Sequence, residues 1–300
     1  MKRELISSFL RENQIDFKEK ENIAHLTTFK IGGDADFLVE AKDEAQILKV
    51  FDFCKNNSVH LTVLGKGSNV LVSDDGIEGI VLLMSGLDQI SLDGNTITCS
   101  AGLSLITLCT FAQQNGLSGL EFAFGIPGSV GGAVIMNAGA YGGEIKDVIA
   151  RVRYIDADGL IKTIDKDEMQ LGYRTSIFKQ KDFIVLSASF VLQSDDKDTI
   201  MAKMSDFMSR RKSKQPLEFP SAGSTFKRPE GYFAGALIEE NSLKGYTVGG
   251  AMVSEKHAGF VINYQNATAK DVKQLISHVQ STVKQNNGVT LEREVIYLGR

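Results

Sequence analysis

The 300-residue chain is poor in the residues that build metal and disulfide chemistry. It has three cysteines, Cys54, Cys99 and Cys109, an odd number with no C-x-x-C spacing. A disulfide framework or zinc site is therefore not expected, and buried free thiols in a reducing cytoplasm are. None of the four histidines sits at the spacing of a helical metal site, so no metal is expected. There is no excess of basic charge: the net charge is −4, which gives no sign of a nucleic-acid partner, although an anionic ligand can still bind a local site. Long apolar runs are missing too. The N-terminal MKRELISSFLRENQ has no apolar core for a secretory signal. Nothing approaches the roughly 18 apolar residues of a membrane span. No internal repeats or low-complexity tracts occur. These absences leave a cytoplasmic globular protein, and its length exceeds what one hydrophobic core usually supports.

The chain reads as three parts. Residues 1–83 form an α+β unit: a short amphipathic helix over 1–16, strand-like texture from Thr28, and a helix placing Ile47, Val50, Phe51 and Cys54 on one face. The apolar strand LTVL follows. Residues 84–196 mix strand and helix, with hairpin signals at Asp93-Gly94 and Asp158-Gly159 and a helix stopped at Gly116. Residues 197–300 begin with a charged helix ended by Pro216. Helices follow at 233–241 and 268–286, with strands at 258–263 and 293–298.

What the chain does have is concentrated glycine. GIPGSVGGAVIMNAGAYGGE, at 125–144, holds seven glycines in twenty residues, against about 7% in an average chain. Glycine costs folding entropy, so in such density it points to a backbone that something approaches closely. Asn137 and Ser129 offer polar contacts within it, and the competing reading is a close-packed structural crossover. A second glycine site, GKGSN at 65–69, follows LTVL directly. Its successive N–H groups suit an anion such as a pyrophosphate. It is neither a Rossmann fingerprint nor a Walker loop, because the third glycine and the Gly-Lys-Ser/Thr ending are missing, so a P-loop NTPase is disfavoured. Together the two stretches fit a dinucleotide, and FAD better than NAD.

Three further stretches are weaker alone. In GYRTS at 172–176, Tyr173 and Arg174 follow the helix-like DKDEMQLG, and Arg174 is a planar cation suited to a carboxylate or phosphate. PSAGSTFKRP at 220–229 places Ser224 in a turn between prolines, with no G-x-S-x-G and no arranged His and Asp for a hydrolase triad. LEREV at 291–295 reads as a strand with Glu292 and Glu294 on one face.

In this order, GKGSN, GIPGSVGGAVIMNAGAYGGE, GYRTS, AGSTFKRP, GYTVGGAMVSEKHAGFVIN and LEREV resemble the UDP-N-acetylenolpyruvoylglucosamine reductase family, from about residue 25 to the C-terminus. The end just after LEREVIYLG and the lack of an insertion around GYRTS are similar to its shorter, second structural type. The resemblance implies an α+β flavoprotein of three domains: a vanillyl-alcohol-oxidase-type FAD-binding unit in two parts, then a C-terminal substrate-binding domain. It implies non-covalent FAD, since neither loop holds a His or Cys for a flavin bond. Cofactor contacts carry over to Gly65, Lys66, Gly67, Ser68, Asn69 and Val70, and to Pro127, Gly128, Ser129, Gly132, Asn137, Gly139 and Ala140. NADPH is the implied hydride donor and UDP-N-acetylglucosamine enolpyruvate the implied substrate. Arg174 matches the residue that meets negative charge on the substrate carboxylate, Ser224 the proton donor to C2, and Glu294 their polar partner. Tyr173, Lys214 and His257 match substrate contacts, and Arg228, after the serine loop, is a candidate to help with phosphate, where the family shows no one fixed residue. A related flavoprotein acting on a hydroxy acid or sugar, or a colourless nucleotide-sugar binding protein, are the rivals to this reading.

Overall fold

A computed structural model describes residues 2–300. The chain divides into two compact units, and the division falls within the strands Asp34–Glu40 and Ile77–Leu83. One unit comprises the stretch ending at Phe17, with Leu38–Lys66 and Ile80–Arg211; the other comprises Lys18–Phe37, Gly67–Gly79 and Lys212–Arg300. The secondary structure mixes helices and strands throughout, the α+β texture read from the sequence.

The first unit is built on a five-stranded antiparallel sheet. Its order is Ile161–Asp165, Ile149–Ile155, Ile184–Val191, Thr96–Ser100 and Ile90–Asp93. Both expected hairpins are present. Asp93 pairs with Thr96, leaving Gly94 at φ 55° in a two-residue turn, the left-handed geometry that such turns require. At the other, Gly159 has φ 88° and the Asp156 carboxylate accepts the N–H groups of Asp158 and Leu160. Ile97, Cys99, Val152, Ile155, Leu186, Ala188 and Phe190 are buried. The short helix Val130–Ile135 packs on the strand Ile184–Val191 and buries Val130, Ala133 and Val134. This helix anchors the glycine-rich stretch to the sheet. The unit also holds the helix Glu44–Asn56, capped by the Asp43 side chain, and Leu105–Gln114, capped by Ser104. Ile47, Val50 and Cys54 are buried as expected, whereas Phe51 is half-buried. Gly116, at φ 67°, follows the second helix as its left-handed stop. LTVL is a strand, Leu61–Leu64, paired in parallel with Ile80–Leu83 of its neighbour.

The core of the second unit lies along the helix Ala269–Asn287. Its buried residues Val272, Leu275, Ile276, Val279 and Val283 recur at helical spacing. They pack with Leu237 and Ile238 of the helix Ala234–Glu240, Val253, Val261, Phe226 and Leu71. Each such aliphatic side chain contributes about 1.5–3 kcal/mol by leaving water. A three-stranded antiparallel sheet, Thr247–Val248, Ala251–Val253 and Val261–Asn263, lies against the long helix.

Three local expectations need correction. DKDEMQLG does not form a helix; only the single turn Lys166–Glu168 does. The segment at 28–33 is irregular, and the strand is Asp34–Glu40. The terminal strand is Ile296–Leu298, not 293–298, and LEREV before it joins its neighbour through one isolated bridge at Arg293. Val295 is buried in the core between this bridge and the strand. No described helix is long and apolar enough to cross a membrane.

Candidate active site

The glycine-rich stretch divides by what surrounds each glycine. A side chain at Gly131 would press on Ala101, at Gly139 on Glu144 and the Gly143 carbonyl, and at Gly143 on the Phe122 ring, all within 3.0 Å. At Gly65 a Cβ would lie 2.3 Å from the Ser129 hydroxyl. These glycines allow protein to pack on protein, so the structural-crossover reading accounts for part of the density. Gly65 and Ser129 also bring the GKGSN loop's first residue against the glycine-rich stretch. Gly132 and Gly142 are different: both are exposed, and Gly142, at φ 87°, has nothing within 4 Å of its Cβ position. They leave bare backbone open to a flat ligand.

The GKGSN loop fits an anion. Gly67, at φ 58°, turns the chain in the left-handed region, and a Cβ there would strike the Leu26 carbonyl at 2.4 Å. Among the described residues, the N–H groups of Lys66, Gly67, Ser68 and Asn69 have no protein acceptor. A run of N–H groups at a left-handed turn is a site for phosphate oxygens. Ser68 and Asn69 are partly exposed, and Val70 begins the buried strand Val70–Val72.

Two polar residues of the glycine stretch turn inward instead. Ser129 is buried, and its hydroxyl caps the short helix through the Gly132 N–H. Asn137 is 0% exposed. Its amide donates to Glu144 and to the Gly172 carbonyl, both at 3.0 Å, and its oxygen accepts the Lys146 N–H at 2.9 Å. Pro127 is exposed, while Gly128, Gly139 and Ala140 are partly so.

GYRTS is a tight turn. Gly172 and Thr175 exchange N–H···O bonds at 3.1 and 3.3 Å, leaving Tyr173 and Arg174 as the two central residues. Arg174 stands at φ 56°, a position where glycine or asparagine is usual. Its guanidinium donates to the Gly139 carbonyl at 3.4 Å and lies 5.1 Å from the Tyr173 ring. Tyr173 is 48% exposed. Ser176 is buried and its hydroxyl donates to the Ile135 carbonyl at 2.8 Å. GYRTS is thereby bound to the glycine stretch at three places.

In the second unit, four sequence stretches meet. The parallel pairing of Ile296–Leu298 with Val70–Val72 sets LEREV beside the end of GKGSN: the Ile296 N–H donates to the Asn69 carbonyl, and the Asn69 amide to the Glu294 carbonyl. The Glu294 N–H donates to the Thr225 carbonyl at 2.8 Å, next to Ser224. Ser224 is exposed on the turn after Gly223, which has φ 75°. Thr225 is buried, donates its N–H to the Gly259 carbonyl, and accepts the Val261 N–H on its hydroxyl. Gly259 in turn donates to Nδ1 of His257 at 3.1 Å. Burial holds His257 below its ordinary histidine value. Glu292 and Glu294 differ in setting: Glu292 is exposed and pairs with Lys227, while Glu294 is half-buried. Lys214 is exposed at the end of the helix Lys197–Lys214, and Arg228 lies over the Phe233 ring at 4.0 Å. Sequence reasoning passed over Ser176, Glu144 and Thr225. The only signal was their place beside glycine and arginine, because their role is to hold backbone.

Bare glycine backbone and an anion loop are features of a dinucleotide-cofactor protein, and comparison with known families makes it a flavoprotein. Residues 35–165 match the FAD binding domain, and residues 215–298 match the UDP-N-acetylenolpyruvoylglucosamine reductase, C-terminal domain. The curated UDP-N-acetylenolpyruvoylglucosamine reductase of Limosilactobacillus fermentum is 48% identical, over 96% of both chains. That of Clostridium perfringens strain SM101 is 49% identical, over 99% of this chain and 97% of its own. The crystal structure of the Thermus caldophilus reductase superposes with a TM-score of 0.81 at 34% identity, over 95% of this chain and 98% of that one. The chain belongs to the UDP-N-acetylenolpyruvoylglucosamine reductase family.

Proposed function

We propose that this chain reduces the enolpyruvyl ether of UDP-N-acetylglucosamine to UDP-N-acetylmuramate with NADPH, using non-covalently bound FAD, in cytoplasmic synthesis of peptidoglycan precursors. FAD supplies the two-electron relay between NADPH and the alkene. The GKGSN loop, Gly65 to Val70, would hold its diphosphate, and the glycine-rich stretch around Pro127–Gly128, Gly132 and Gly139–Ala140 would lie against its rings. The reading keeps the three-part organisation 1–83, 84–196 and 197–300, with substrate bound by the last part.

The reaction sets two tasks for side chains. As hydride reaches the terminal alkene carbon, negative charge builds at C2 and on the adjacent carboxylate. Arg174 meets that charge with its planar fork, and Glu294 is its polar partner. C2 then needs a proton, and Ser224 supplies it: a serine is a weak acid, but an enediolate carbon is basic enough to make the transfer downhill. Tyr173, Lys214 and His257 contact the substrate.

The observation that carries this reading is Arg174 itself. An arginine in left-handed backbone costs on the order of 1–3 kcal/mol, and a turn with glycine there would avoid it. That cost is sustained at a residue tied to the glycine stretch at Gly139.

The test is an anaerobic visible spectrum of the purified protein. NADPH is expected to bleach the flavin absorbance, and the enolpyruvyl substrate to restore it. Bleaching without recovery would keep the flavin and remove this substrate. A protein that stays colourless after added FAD would remove the reading altogether. Arg174→Ala is expected to slow the recovery step by about 100-fold or more, on the scale of an oxyanion-donor deletion. Recovery at the native rate would take Arg174 out of the mechanism.

A further inference from the structure

The turn that presents Arg174 is too short to fix itself. Its two cross-turn hydrogen bonds hold Gly172 to Thr175 but do not aim the guanidinium. Three contacts to the glycine stretch do. Asn137 donates to the Gly172 carbonyl at the start of the turn. Ser176 donates to the Ile135 carbonyl at its end. Arg174 donates to the Gly139 carbonyl between them.

Asn137 is the centre of this mount. Its backbone is left-handed, φ 41°, a region that asparagine tolerates better than most residues. Its N–H closes the end of the short helix on Val134. Both amide hydrogens and the side-chain oxygen are engaged, joining the helix end to Glu144, to the Lys146 N–H and to the Arg174 turn. Glu144 is itself fixed, pairing with Lys146 and donating its N–H to Asp147. With no exposure and both polar side-chain atoms engaged, the Asn137 side chain has nothing to offer a cofactor.

We propose that Asn137 and Ser176 are positioning residues for Arg174: they set where the catalytic cation stands, and touch neither FAD nor substrate. This rests on the role of Arg174 argued above, and it replaces the cofactor contact that the family resemblance implies for Asn137. Misplacing a catalytic group by about 1 Å costs on the order of 100-fold in rate, so loss of either anchor is read in the step that needs Arg174 and not in the step that does not.

The experiment uses the FAD-loaded enzyme and separates its half-reactions by stopped flow, with the slow variants followed anaerobically to completion. Asn137→Gly keeps a backbone that accepts positive φ and removes only the amide. Ser176→Ala removes one hydroxyl and serves as the second variant should Asn137→Gly not fold. Each is expected to slow re-oxidation by the enolpyruvyl substrate by about tenfold or more, with reduction by NADPH, FAD affinity and thermal midpoint close to native. Each is also made in the Arg174→Ala background. There the further loss is expected to be under about twofold, because the residue acts through a side chain that is gone. Equal losses with and without Arg174 would overturn the positioning role. So would weaker FAD binding in Asn137→Gly, measured by flavin fluorescence, or equal slowing of both half-reactions. If Arg174→Ala alone re-oxidises at the native rate, the fault lies in the catalytic assignment of Arg174, a result distinct from those three.

Discussion

His257 must stay neutral to do what its neighbours need. Nδ1 accepts the Gly259 N–H, so the ring proton sits on Nε2, and the Gly259 carbonyl holds the Thr225 N–H beside Ser224. Burial, the largest effect, lowers its pKa below the ordinary 6.5; Lys244 acts in the same direction, while a backbone hydrogen bond and Glu239 oppose it. In the unfolded chain the histidine takes its proton near that ordinary value. Its contribution to stability is therefore complete above that value and is lost as pH falls toward the lower folded pKa. The thermal midpoint of the native protein is expected to fall on acidification from about pH 7 to 5, more steeply than that of His257→Gln. Parallel curves would exclude His257 as the cause. The cysteines make a simpler case. Burial pushes the thiols of Cys54 and Cys99 up to about 12, and Cys109 higher still. All three are expected to resist a thiol reagent at neutral pH until the protein is unfolded, since only the thiolate reacts. The chain's free thiols were readable from their odd count and spacing. The inward turn of Asn137 was not: an asparagine among glycines looks the same in sequence whether it faces a ligand or two backbone segments and a carboxylate.

At the scale of single elements, the helix Ala269–Asn287 shows what is and is not local. Its apolar spacing, its cap at Thr268 with Asp271 three residues on, and the left-handed Gly288 after its end are all written in adjacent residues. The two N–H groups that this box leaves over are met from far away. Asp74 accepts the Ala269 N–H at 2.7 Å and the Lys270 N–H at 3.1 Å, from 195 positions earlier in the chain. A carboxylate at a helix N-terminus satisfies orphan donors and also opposes the positive end of the helix dipole. Asp74→Ala is expected to cost about 1–2 kcal/mol, read as a lower urea midpoint at unchanged slope. A shift no larger than that of an exposed surface alanine would mean water replaces the carboxylate without loss. The Arg174 turn lies between these cases. Gly-Tyr-Arg-Thr-Ser does not announce a two-residue turn, because its left-handed position holds arginine where turn chemistry calls for glycine. Local propensity yields there to tertiary anchors, and those come from a segment more than 30 residues away.

Across the whole chain, the step hardest to read is the return of the C-terminus. Ile296–Leu298 lies in parallel with Val70–Val72, with Ile296 opposite Val70 and Leu298 opposite Val72. Parallel pairing needs a crossover, so nothing near either strand specifies its partner. The order of motifs along the chain could name the family, but it could not say that LEREV lies beside GKGSN. This pairing gives the last strand a part in the GKGSN loop: the Ile296 N–H holds the Asn69 carbonyl, and the Leu298 carbonyl holds the Ser73 N–H. Beyond it, Arg300 donates to the Asp75 carbonyl and to both oxygens of Asp36, fastening the segment after the loop. Removing residues 296–300 deletes these bonds and leaves Val70–Val72 an unpaired edge. The shortened chain is expected to lose FAD on gel filtration and to bind it at least about tenfold more weakly, the scale of one or two lost hydrogen bonds to a preorganised loop. Arg300→Ala, which keeps the strand, is expected to retain most of its flavin. If the shortened chain folds and keeps FAD at native affinity, the loop's N–H groups are held by GKGSN alone, and the C-terminal strand serves only the core of its own unit.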